Sequence, residues 1–152
     1  EDPPDSGLRV ALGVRACDVR AFEALDAVFL RRGRTDTAYQ ARRNSLCILG
    51  MGCITPSPLC FCDRMGSHPF DTRGMDALIV PLAGGWALET LTERGQEVLN
   101  TVASLLRTAS EEEKKQVAAL RAKGPSRKSG TPVDFRALAG AVAASREDPF
   151  WN

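Results

Sequence analysis

Three cysteines and two prolines fall within the ten residues Cys53-Ile-Thr-Pro-Ser-Pro-Leu-Cys60-Phe61-Cys62, directly after an apolar run that ends Leu49-Gly50-Met51-Gly52. Proline interrupts both helix and sheet hydrogen bonding, so this segment reads as a loop that follows a strand. A fourth cysteine, Cys17, follows the comparable apolar run near the N-terminus. We read Cys17, Cys53, Cys60 and Cys62 as candidate thiolate ligands on two loops that the rest of the chain brings together. Five cysteines are present, an odd number, so full disulfide pairing inside the chain is impossible. Clustered cysteines outside an oxidising compartment point to metal binding or redox chemistry.

The local geometry suits such a site. In an extended Cys60-Phe61-Cys62 segment both cysteines face one side, and two residues at about 3.3 Å rise separate them by roughly 6.6 Å. Phe61 would then face the core. Pro56 and Pro58 lower the entropy lost on ordering the loop.

The remainder of the chain predicts an α/β domain: a small, mainly parallel sheet with a βαβ unit plus a hairpin, helices packed around it, and C-terminal helices. Residues 8–14 read as the first strand and 46–49 as the second, apolar on both faces as a strand buried between layers requires. Between them, Asp18 is expected to cap a helix whose Phe22, Leu25, Val28 and Phe29 share a face, closed by Arg31, Arg32 and Gly33. Asp36 is expected to cap a short helix over residues 36–43. Residues 77–82 and 86–91 form a hairpin about Gly84-Gly85, with Pro81 near an edge or strand end. Thr90 and Glu93 have capping-box spacing for a helix reaching Leu106, with Val98, Val102 and Leu105 inward; Ser110 and Glu113 repeat the box. Residues 124–132 read as a flexible basic linker and 134–144 as a last helix with Phe135, Leu138 and Val142. The domain reading is therefore 1–123, linker 124–132, and a C-terminal helix in 133–152.

In a parallel βαβ unit, Cys17 and Cys53 both emerge at the carboxyl edge of the sheet, where such folds place ligands. Cys17 would also sit at a helix N-terminus, whose partial positive charge favours thiolate. Cys47 lies inside the second strand and reads as a buried core cysteine.

Spacing leaves the metal open. C-x6-C-x-C is neither the C-x2-C-x2-C run of bacterial ferredoxins nor the paired knuckles of structural zinc sites, and four thiolates suit an iron–sulfur cluster or zinc. A zinc-stapled interaction domain that docks partner subunits is thus the alternative, and a metal-free scaffold the third reading. His68, the one histidine, lies in the cysteine loop and reads as a surface residue. A Cys17–His68 nucleophilic pair would leave Cys60 and Cys62 without a role. Arg42, Arg43, Arg64 and Arg73 read as solvated charge, with attraction of an acidic partner as the other reading. Lys plus Arg number 20 against 19 for Asp plus Glu, which gives no pointer to nucleic acid or an anionic membrane. No apolar run approaches the about 20 residues a bilayer span needs. No glycine-rich phosphate motif follows a strand. With clustered cysteines in odd number and no signal-peptide pattern, a cytoplasmic setting is expected.

The segments Gly13-Val-Arg-Ala-Cys17-Asp18, Ala41-Arg-Arg43, Gly52-Cys53, Cys60-Phe-Cys62 and Met65-Gly66 occur in an order that resembles the N-terminal domain of iron–sulfur electron-transfer subunits. That group includes the beta subunit of cytoplasmic nickel–iron sulfhydrogenases and the corresponding subunit of anaerobic sulfite reductase. The resemblance covers residues 8–100 and reappears at Asp148-Pro-Phe-Trp151. It implies that Cys17, Cys53, Cys60 and Cys62 bind a 4Fe-4S cluster. It also implies a non-catalytic electron-transfer part of an oxidoreductase, working with redox partner subunits and a following ferredoxin-like domain. Ala16 stands where that family more often has proline. The chain begins at Glu1 without Met, and both ends read as cut from a longer protein.

Overall fold

The structure is a computed structural model and describes residues 7–55, 57, 60, 62, 66–123 and 134–145. Four strands form one sheet in the order β1-β2-β3-β4: β1 Arg9–Val14, β2 Leu46–Met51, β3 Ala77–Leu82 and β4 Gly85–Thr90. β1 pairs with β2 and β2 with β3 in parallel, while β3 and β4 form the antiparallel hairpin. The α/β class and the mainly parallel sheet are as the sequence predicts. Pro81 sits at the end of β3, beyond the three residues paired with β2, so its missing N–H breaks no ladder bond on that side.

The sheet alternates as period-two geometry dictates. On one face Ile48, Leu78 and Val80 are buried with Ala16 and Val19, and with Phe70 and Met75; Val117 and Leu120 pack against them. On the other face Cys47, Leu49, Ala77 and Ile79 are buried with Leu99. Cys47 is fully buried, so the reading of it as a core residue holds.

Helices α1 (Ala16–Phe29), α2 (Thr37–Asn44), α3 (Glu93–Asn100), α4 (Glu111–Lys123) and α5 (Phe135–Ala144) follow the predicted order. Two caps form as expected, at Asp36 and at Ser110 with Glu113, and a further one forms at Asp134. Asp36 accepts the Tyr39 amide at 2.8 Å, and Asp134 accepts those of Arg136 and Ala137. Ser110 and Glu113 make the reciprocal box, with Ser110 N–H to Glu113 at 2.8 Å and Glu113 N–H to Ser110 Oγ at 3.3 Å.

Two helices differ from expectation. α1 starts at Ala16, so Asp18 is its third residue, reaching back to accept the Arg15 amide at 3.3 Å. Only the first half of α1 faces the sheet. Leu25, Val28 and Phe29 stay exposed, although Phe29 stacks on Tyr39 of α2 with ring centroids 4.9 Å apart. Asp26 ties the two helices, accepting from the Tyr39 hydroxyl at 2.7 Å and from Arg43 Nε at 3.2 Å. Arg31 and Arg32 lie past the helix end.

α3 is capped by Thr92, which accepts the Gly95 amide at 3.1 Å; Thr90 still pairs in β4. The chain then leaves the α-helix at Thr101 and makes a short 3₁₀ turn, Ala103–Leu105. Leu99 and Val98 therefore face inward, whereas Leu105 is 83% exposed. The predicted linker lies outside the described residues.

Candidate metal centre

The parallel β1–β2 pair places both cysteine-bearing segments at one sheet edge, Cys17 on the first turn of a helix rather than on the loop expected of it. Val14 is in register with Gly50, and Cys17 and Cys53 follow within a few residues. The register slips between Leu12 and Val14, at Gly13, whose φ of +78° suits glycine. Cys17 is the second residue of α1, and Cys53 lies two residues past β2.

The approach to Cys53 is pinned from three sides. Gly52 donates its amide to Ile79 at 2.8 Å, and Cys53 donates to Pro69 at 3.0 Å, closing the cysteine loop at its base. The Gly52 carbonyl accepts from Arg15 Nη1 at 2.9 Å. A side chain at Gly52 has no room, since its Cβ would stand 2.5 Å from the buried Phe70 ring. The same holds at Gly50 against Met75 Sδ, at 2.1 Å.

Farther along, Cys60 donates its amide to Ser57 at 3.0 Å and its sulfur accepts the Ser57 amide at 3.1 Å. Amide-to-sulfur hydrogen bonds are a means by which proteins tune thiolate-bound centres. Cys62 is buried, in 3₁₀ rather than extended backbone, and its carbonyl accepts the Ser67 amide at 2.9 Å. Phe61, Pro56, Pro58 and Arg64 lie outside the described residues.

Cys17, Cys47, Cys53, Cys60 and Cys62 are all thiols outside any disulfide. Cys17 is exposed, yet partial desolvation pushes its thiol up, and the adjacent Asp18 carboxylate adds to it. This reverses the expected thiolate preference at the helix N-terminus: backbone hydrogen bonds do pull the thiol down, but burial and Asp18 outweigh them. A cation bound there would restore the thiolate. Cys47 faces the opposite side of β2, where burial and Asp76 push its thiol up.

Among the described residues no three His, Cys, Asp or Glu side chains converge on one ion position. A single tetrahedral zinc needs donors about 2.3 Å from one point. The corners of a four-iron cluster lie several ångströms apart. His68 is exposed, and its Nδ1 accepts the Phe70 amide at 3.2 Å. Arg43 is engaged with Asp26, and Arg73 with Asp71 at 2.5 Å and the Gly66 carbonyl at 2.8 Å.

Three residues make contacts here that sequence spacing alone does not reveal. Arg15 bridges two segments 37 residues apart. Asp76 accepts from the Ile48 amide at 2.8 Å and the Thr92 hydroxyl at 2.6 Å, locking β2 to the α3 cap. Asp71 accepts from Ser67 and Arg73 and holds the far side of the cysteine loop.

No family model and no solved structure matches the chain. Among curated proteins, it is 33% identical over 91 residues to the sulfhydrogenase 2 subunit beta of Pyrococcus furiosus. That alignment takes in 60% of this chain and 26% of the relative, so the chain spans about a quarter of the length of the protein it matches.

Proposed function

We propose that this chain is an electron-relay domain of a larger redox subunit, with Cys17, Cys53, Cys60 and Cys62 holding a 4Fe-4S cluster. The observation that carries the reading is the placement of Cys17 and Cys53 at the same carboxyl edge of a parallel pair. Four thiols outside any disulfide are the donor chemistry such a cluster needs. The match to a sulfhydrogenase subunit supports an oxidoreductase setting with partner subunits. Bound there, the cluster would supply one-electron transfer. The chain's own part is to hold the donors, to exclude water with Phe70 and Met75 packed against Gly52 and Gly50, and to present the edge to a partner.

In this reading residues 1–123 form the cluster domain, 124–132 the linker, and 133–152 the lead into a ferredoxin-like domain. Redox partner subunits of hydrogenase or sulfite reductase type complete the relay in the cytoplasm. No helix among the described residues is long and apolar enough to cross a membrane.

Anaerobic purification followed by iron, acid-labile sulfide and zinc assays tests this. The expected result is a brown protein with about four iron and four sulfide per chain. A colourless protein with one zinc per chain would establish the zinc-stapled docking domain instead.

A further inference from the structure

The Gly52 peptide is fixed at both ends, by Ile79 on its amide and by Arg15 on its carbonyl. Arg15 is itself fixed. Its amide reaches the Asp18 carboxylate at 3.3 Å, and its carbonyl accepts the Asp18 and Val19 amides at 2.9 and 3.0 Å, starting α1. One half-buried side chain thus ties the start of α1, which carries Cys17, to the loop of Cys53. Its guanidinium contacts the peptide unit that joins Gly52 to Cys53, and its backbone stands two residues before Cys17.

We propose that Arg15 is a positioning residue: it sets Cys17 and Cys53 in register before metal arrives, and its fixed charge favours the reduced state of the centre. This rests on the metal-centre reading above. The physical grounds are general. A charge-assisted hydrogen bond changes a local opening equilibrium by about tenfold or more. Donors held in place beforehand lose less entropy on binding. A fixed cation beside a site that gains an electron stabilises the added negative charge. Lysine at this position keeps the charge but not the planar fork, and glutamine loses the charge.

The test compares wild-type, Arg15→Lys and Arg15→Gln chains, loaded anaerobically with ferric iron and sulfide in the presence of a thiol reductant. Circular dichroism of the metal-free proteins checks that the helices remain. Arg15→Gln should release iron to a chelator about tenfold faster than wild type, and exchange its Gly52 and Cys53 amides faster when metal-free. Its midpoint potential should fall, while that of Arg15→Lys stays near wild type. A purely structural role would not separate the two variants by potential. Wild-type loading with unchanged release and potential in Arg15→Gln overturns the inference alone. A wild-type chain that takes up no iron and sulfide overturns the metal-centre reading, and this inference with it.

Discussion

Gly95 and Gly84 bracket what a single methyl group does in this fold. A Cβ at Gly95 would stand 2.0 Å from the Asp76 carbonyl oxygen, a backbone atom that also accepts the Leu91 and Thr92 amides, whereas at Gly84 nothing lies within 4 Å. Gly95→Ala should therefore cost about 2–4 kcal/mol, because α3 must lift off β3, and Gly84→Ala should stay within about 0.5 kcal/mol. Urea denaturation midpoints read both. Asp71 gives a pH signature. Arg73 beside it, with Ser67, holds its carboxyl down from 3.8 to about 2 against a smaller opposing effect of burial. A depressed carboxylate contributes stability that is present above its unfolded value, near 3.8, and is lost as pH falls through about 2. Thermal unfolding between pH 5 and 2 should show a smaller loss in Asp71→Asn than in wild type. The contacts of Asp76, Arg15 and Phe70 were illegible in the sequence, because each acts on residues far along the chain.

At the scale of elements, what depends on neighbours in sequence was legible. Asp36, and Ser110 with Glu113, cap their helices as side-chain chemistry dictates, and the apolar runs of β1, β2 and β3 form the strands they predict. The same-edge placement of Cys17 and Cys53 followed from the βαβ pattern. What failed did so for a tertiary reason. The apolar residues of α1 at Leu25, Val28 and Phe29 mark a helical face, but all three stay exposed, Phe29 stacking on Tyr39 of α2. Thr90 and Thr92 both precede Glu93, and strand pairing claims Thr90, leaving Thr92 to cap α3. The two halves of α1 should respond differently to truncation. Val19→Ala, at a fully buried position against the sheet, should cost about 2 kcal/mol, and Val28→Ala, 64% exposed, close to nothing. Equal losses would show that the outer half packs on something besides α2.

At the scale of the whole molecule, the sheet has buried side chains on both faces that owe nothing to the cysteine loop: Ile48, Leu78 and Val80 on one, Cys47, Leu49 and Ile79 on the other. Metal-free protein should keep its helical signal and lose amide protection between Cys53 and Pro69, because a metal site cross-links segments that the unfolded chain does not preform. Hydrogen exchange on metal-free and loaded samples measures this, and equal protection in both would mean that the pocket forms without metal.

The central claim is the identity of the four ligands. Electron paramagnetic resonance of dithionite-reduced protein, with iron counted on the same samples, tests it on wild type, on Cys→Ser variants of Cys17, Cys53, Cys60 and Cys62, and on Cys47→Ala. Wild type and Cys47→Ala should give the same reduced-cluster signal, since Cys47 lies in the core on the far face of β2, and each serine variant should lose or alter it. Loss of the signal in Cys47→Ala together with its retention in Cys17→Ser would contradict the account.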